Sequence, residues 1–105
     1  MRNLTVVDAS TSAAGAYCTR MFAAFGADVV VAEAPGGHPL RQAPPWITVG
    51  ADGPVSAAWA YLAAGKRSVI ADEAALDRLA ATADLVVLSA DGDPDTATEI
   101  GRAHV

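Results

Sequence analysis

Residues Leu4 to Glu33 constrain this chain most, reading as a buried strand, a turn reaching Gly15, an apolar-faced helix closed by Gly26, and a second buried strand. Elements joined this tightly make one βαβ unit, which sets its two strands parallel through a right-handed crossover. Leu4 to Asp8 is the first apolar strand. The run Ala9-Ser-Thr-Ser12 supplies N-cap side chains for a helix from about Ala13 to Phe25, and Gly26 stands where helices end. Tyr17, Met21, Ala24 and Phe25 recur at helical spacing, which predicts that they face the sheet. Asp28 to Glu33 is the second strand, and its Val29-Val30-Val31 centre is the pattern of a strand covered on both faces.

The alternation continues downstream. From Ala34 to Pro54 Gly and Pro dominate, which precludes a long regular element, and a loop of that length in a compact domain is functional or mobile. Val55 to Ala64 reads as a helix closed by Gly65, and Arg67 to Ala71 as a third strand. Asp72 caps a helix from Glu73 to Thr82 with an apolar stripe of Ala75, Leu76 and Leu79, and Asp84 to Ser89 makes a fourth strand. A last helix is expected from about Thr96 to Ala103. The order predicts an α/β chain, one domain over residues 1–105, built as a Rossmann-like, doubly wound, mainly parallel sheet of about four strands with flanking helices.

A net charge of -5 and a pI near 4.6 argue against a nucleic-acid surface, which needs clustered Lys and Arg to displace counterions. A hydrophobic fraction of 52% predicts a packed globule, but much of it is alanine, so the core is thin and completed by close helix–sheet approach or by a further protein surface. The single cysteine, Cys18, excludes an internal disulfide; within the first helix it reads as a small core filler, and a reducing cytoplasm fits. No run approaches the ~20 apolar residues of a membrane span. Met1-Arg-Asn3 leads into a strand without a signal-peptide core, so the expectation is a soluble cytoplasmic protein with no membrane or nucleic-acid partner.

In an open parallel sheet ligands bind beyond the carboxyl ends of the strands, here Ala9 to Ala14, Ala34 to Gly37, Ala71 to Ala74 and Ser89 to Asp91. Ser10, Thr11, Ser12 and Gly15 suit either an anion at the first helix N-terminus or simple capping of that helix. Neither G-x-G-x-x-G spacing nor a Walker lysine is present. Arg41, on the Gly/Pro loop, can reach a phosphate or stand unpaired in solvent. Lys66 and Arg67 precede the third strand and so are expected toward the edge opposite the crevice, solvated or carboxylate-paired. Glu33 reads as a hydrogen-bonding anchor for the loop rather than a catalyst. His38 and His104 lack neighbours at metal-ligand spacing, so no metal is predicted. Asp91, Asp93 and Asp95 alternate as in calcium loops, but glycine is out of register and no closing Glu follows, which leaves a solvated turn. Trp46 and Trp59 read as core or interface anchors.

An ordered set of motifs spans about Leu4 to Leu88: strand-Asp8, the small-residue turn with Ala14-Gly15, a helix, Gly26-Ala-Asp-Val29, strand-Glu33, Pro35-Gly-Gly37 followed by Arg41, Lys66-Arg-Ser68, and Ala83-Asp84 before another apolar strand. In this order they resemble the opening of the CaiB/BaiF group, the class III coenzyme A transferases. The resemblance implies a Rossmann-like region that binds the CoA nucleotide, in a family whose two long subunits interlock. It places cofactor contacts at Ala13, Ala14, Ala34, Ala71, Asp72, Glu73, Ala74, Ser89, Ala90 and Asp91, the same strand ends, to which Arg41 is added from its place on the loop. The partners it implies are a CoA thioester and a second copy or the remainder of a longer transferase. The family's nucleophilic aspartate lies beyond Val105, so no residue here is assigned a catalytic role and no metal is implied.

The chain departs from the family pattern with Gly15-Ala16 for Gly-Pro, Ala34 for a basic residue, and Leu88-Ser-Ala-Asp-Gly-Asp93 for a Glu-Asn-Phe-Arg-Pro-Gly type of sequence. Acids at Asp91 and Asp93 repel anionic CoA, which supports the alternative of a non-catalytic assembly domain with a degenerate crevice. An α-methylacyl-CoA racemase-like domain is a further alternative, which nothing between Met1 and Val105 separates from the transferase.

Overall fold

The valine-rich runs near the N-terminus form the centre of a parallel sheet. The computed structural model describes residues 3–48, 50–51 and 53–89. In chain order they form β1 (Thr5–Asp8), α1 (Ala13–Ala24), β2 (Asp28–Glu33), a 3-10 helix (Pro39–Gln42), β3 (Trp46–Thr48), β4 (Pro54–Ser56), α2 (Ala57–Ala63), β5 (Arg67–Ile70), α3 (Glu73–Thr82) and β6 (Leu85–Val87). Each α-helix starts by one device, a cap side chain accepting the N–H three residues on: Ser12 from Gly15 at 3.1 Å, Ser56 from Trp59 at 3.2 Å, Asp72 from Ala75 at 2.8 Å.

The sheet order is β5-β2-β1-β6, all parallel, so the expected Rossmann-like α/β architecture is the one found. Counting only its own strands in chain order, the sheet runs third, second, first, fourth, and the direction of winding reverses between β1 and β6. α1 and α2 pack on each other, and right-handed crossovers put α3, which carries the chain back from β5 to β6, on the opposite face. The register pairs Asp8 with Val31 and with Val87, and Glu33 with Ile70. β2 and β5 therefore run two residues past β1 and β6, leaving a step of about 6–7 Å at the strand ends.

Several sequence expectations are corrected. The outward stripe of α1 is the one predicted to face the sheet: Tyr17, Met21 and Phe25 are exposed, while Ala16 and Thr19 are buried and Phe22 and Ala23 pack on the Val6–Ala27–Val29 cluster. The cause is close approach. A Cβ at Gly15 would overlap the Ser10 side chain, so only small residues fit where α1 meets the β1 turn, and bulk is turned outward. For the same reason Cys18 lies on the exposed side and is no core filler. Val55 enters the antiparallel β3–β4 hairpin, pairing with Ile47, so α2 starts at Ala57 rather than Val55. The Gly/Pro loop thus carries only short pieces. The helix expected over 96–103 lies outside the described residues.

Candidate functional site

Two acids end the two central strands, and each is buried. Asp8 is wholly inaccessible, so its charge must be met by neighbours. Oδ1 accepts the Ser10 N–H at 2.9 Å and the Ser10 hydroxyl at 2.6 Å, Oδ2 accepts the Thr19 hydroxyl at 2.5 Å, and the Lys66 amine lies 3.8 Å from Oδ2. Lys66 Nζ also donates to the Ala16 carbonyl at 2.7 Å. Burial pulls the Lys66 pKa down, and Asp8 partly restores it. This corrects the expected position of Lys66. Arg67 is in register with Val30, one residue short of the level of Asp8, so β5 begins near the crevice and the Lys66 stem reaches it. Arg67 instead pairs with Asp28 at 2.7 Å in solvent.

Glu33 is the second node. Its Oε1 accepts the His38 N–H at 2.7 Å and Arg41 Nε at 2.6 Å; Oε2 accepts Arg41 Nη2 at 2.8 Å and the Ser68 hydroxyl. The Arg41 hydrogen bonds, outweighing burial and helped by Ser68 and His38, lower the Glu33 carboxyl from 4.5 to about 2. Glu33 is thus a permanently charged anchor, as its place at the strand end suggested. Arg41, in turn raised by Glu33, lies with its guanidinium 4.5 Å over the Trp59 ring, and its side chain remains 44% exposed. It is neither free in solvent nor without a partner.

Around these nodes stand the other candidates. Ala13 and Ala14 form the exposed first turn of α1, and Ala34 is exposed just past β2. Ala71 is buried, its N–H donating to the Glu33 carbonyl at 2.8 Å. Asp72, Glu73 and Ala74 are exposed at the start of α3, where two carboxylates offset the positive end of the helix. Ser89 accepts the Thr11 N–H at 2.7 Å and donates to Ser12 Oγ at 3.3 Å, closing the reversal point between β1 and β6. The structure therefore brings together Ala13, Ala14 and Ser89 at that point, and Arg41 and Ala71 around Glu33. Ala90 and Asp91, like Asp93 and Asp95, lie outside the described residues. Of the two roles open to Ser10 and Ser12, both turn inward to cap and brace.

Sequence reasoning missed Thr19, Lys66, Ser68 and Trp59 as parts of this network. A signal existed: an acid closing a run of buried valines needs donors from elsewhere in the chain. Both carboxylates are saturated with donors, which suits them to holding loops rather than to proton transfer. What faces solvent is the α1 N-terminus, the outer side of Arg41 and the rim made by Ser89 and the α3 turn. Among the described residues no three His, Cys, Asp or Glu side chains gather as metal ligands, and no helix is long and apolar enough to cross a membrane.

The family described as CoA-transferase family III matches residues 1–103. The succinyl-CoA:mesaconate CoA-transferase of Haloarcula hispanica is 39% identical over 70 residues, which are 67% of this chain and 18% of that protein. The succinyl-CoA:(R)-benzylsuccinate CoA-transferase subunit BbsE of Thauera aromatica is 42% identical over 67 residues, 64% of this chain and 16% of that one. Among solved structures, a CAIB/BAIF family protein from Brucella suis matches with a TM-score of 0.78 and 30% identity, covering 94% of this chain and 27% of that one. The hypothetical protein Rv3272 from Mycobacterium tuberculosis gives 0.73 and 33%, covering 96% and 28%. The matched stretches span less than a fifth of the length of these curated relatives.

Proposed function

The chain belongs to CoA-transferase family III, and from that premise we propose that it is the CoA-binding N-terminal region of a class III acyl-CoA:carboxylate CoA-transferase. In this reading it holds the nucleotide of a CoA thioester at the strand ends and contributes no nucleophile. The observation that carries it is the reversal of winding between β1 and β6, with the exposed first turn of α1 beside it. Crevices at such points take nucleotides, and a helix N-terminus presents N–H groups to phosphate.

The chemistry divides along the crevice. Ala13 and Ala14 leave room for the diphosphate to approach the α1 backbone, and Arg41 offers its unshielded side to an anion. Asp72 and Glu73 disfavour phosphate and suit the amine and hydroxyl donors of an adenosine group. The similar curated proteins bear transferase names, which supports transfer over racemisation. The reading carries with it a cytoplasmic location and assembly with the remainder of a longer transferase or a second copy.

Calorimetric titration with CoA tests it. Saturable binding is expected, weakened about tenfold or more, 1.4 kcal/mol, by Ala14→Trp, which fills the approach to α1 without removing a hydrogen bond. Arg41→Ala should also weaken binding, but it strips Glu33 of its partner, so Ala14→Trp is the cleaner variant. No heat at high CoA concentration would overturn the reading in favour of an assembly module.

A further inference from the structure

After β2 the chain must turn so that Arg41 returns to Glu33, eight positions earlier. The turn is made by the 3-10 helix Pro39–Gln42, whose first residue has no N–H to satisfy. The next N–H, that of Leu40, is donated to Nδ1 of His38 at 3.1 Å. An imidazole nitrogen accepts only when it carries no proton, so the ring is neutral with its single proton on Nε2. Nε2 is buried with no hydrogen-bond partner among the described residues. The ring packs 4.9 Å from Trp59, the same indole that Arg41 covers from 4.5 Å.

We propose that His38 is a positioning residue for Arg41: its neutral imidazole holds residues 38–42 against Trp59 and Glu33, and uptake of a second ring proton frees that segment. Protonation would put an N–H on Nδ1, facing the Leu40 N–H donor against donor, and would leave a cation at a buried site.

The surroundings fix the sign. Burial is the largest influence and pushes the His38 pKa below 6.5. Asp8 from β1, Glu33 from β2 and the Ser10 backbone favour the charged ring, while Lys66, from the turn before β5, opposes it. Arg41, on the same turn, is committed to Glu33, and Trp59 of α2 presents only a ring face. A pKa lowered on folding means that the closed segment binds fewer protons than the open one. The closed form is fully favoured above 6.5 and loses ground as pH falls toward the lower folded value. Over that window the opening equilibrium rises as pH falls, with about tenfold per pH unit as the limit for uptake of one proton. The consequence for CoA, a crevice whose exposed cation is positioned only above the histidine transition, rests on the reading above; the switch itself does not.

Amide hydrogen exchange on the intact chain, corrected for the intrinsic pH dependence of exchange, is the test. Protection of the Leu40 N–H should fall as the pH is lowered from about 6.5 to about 5.5, by less than the roughly tenfold per pH unit that uptake of one proton permits, while Val29 to Val31 keep theirs. His38→Asn supplies an oxygen acceptor that does not titrate, and its Leu40 protection should be flat over the same range. His38→Ala should lack protection at every pH. A flat wild-type profile, or the same loss in His38→Asn, would overturn the proposal. CoA titration at pH 7 distinguishes the two readings: the Leu40 transition without CoA heat supports the switch and ends the CoA assignment.

Discussion

At the ends of β1 and β2 two carboxylates, Asp8 and Glu33, lie 0% and 2% exposed, whereas on the edge strand β5 the apolar Val69 and Ile70 stand 37% and 61% exposed. The usual distribution is inverted in both places. In the first, charge is tolerated because donors converge from several elements: the turn after β1 sends Ser10, α1 sends Thr19, the turn before β5 sends Lys66, the loop sends His38 and Arg41, and β5 sends Ser68. In the second, Val69, Ile70, Ala71, Ala75 and Leu79, with Arg78 and Thr82, line an open groove of about 330 Å³ with nothing packed into it among the described residues. Strands of parallel sheets are normally covered on both faces, so among the described residues β5 is an edge left uncovered. The contrast teaches that the described residues concentrate their specificity on preorganising the strand ends, while the apolar face of β5 among them stays open.

Breaking the polar region should have the largest effect. Asp8→Ala leaves the Lys66 ammonium, whose side chain is 2% exposed, without its counter-charge and strips Thr19 and Ser10 of an acceptor. Removing one partner of a buried pair costs about 3–5 kcal/mol. On a domain of this size that loss should shift the urea midpoint far enough to abolish most folding at room temperature. A loss under about 1 kcal/mol would mean that Lys66 reaches water, and the contrast with β5 would fade.

Acid attacks the same region from the Glu33 side. With a folded pKa of about 2 against 4.5, Glu33 contributes stability that is complete above 4.5 and is lost as pH falls toward 2. The shift corresponds to about 2–3 kcal/mol once the partial exposure of Arg41 is allowed for. Unfolding midpoints measured from pH 5 to 2.5 should fall accordingly, and Glu33→Gln should flatten the slope.

Much of this was legible in the residues, and the part that was not has a physical cause. Apolar runs and caps located β1, α1, β2 and α3 to within a residue or two, because those signals are local. Periodicity marks a stripe on a helix but not its direction. Tyr17, Met21 and Phe25 do form a stripe, yet Gly15, Ala16, Thr19 and Ala23 form a second, smaller one, and close approach to Ser10 selects the small one. The position of Lys66 escapes sequence reading because it depends on the register of β5, a tertiary quantity. The anchor role of Glu33 follows from its place at a strand end, while the burial of His38 and its place on Trp59 depend on how a Gly/Pro loop folds back.

Gly15→Ala probes that close approach at intermediate cost. The added methyl overlaps the Ser10 Cβ and hydroxyl, and Ser10 is itself held on Asp8. Overpacking of this kind costs about 1–3 kcal/mol. Thermal unfolding should register it, and Gly15→Ala combined with Ser10→Gly, which opens the space, should recover stability relative to the Ser10→Gly background.

The smallest effect belongs to the open edge. Ile70→Thr keeps a β-branched side chain on β5 while removing apolar surface that already meets water, so the folded and unfolded chains lose nearly the same hydration cost. Stability should change by no more than about 0.5 kcal/mol in either direction. The same substitution within Val6 or Val29, which lie in the core, would cost several times more because a hydroxyl would be buried there. A loss above about 1.5 kcal/mol for Ile70→Thr would show that β5 is covered in solution, by this chain or another copy. The two regions would then follow one rule, with apolar groups buried in both, and only the charged strand ends would remain unusual.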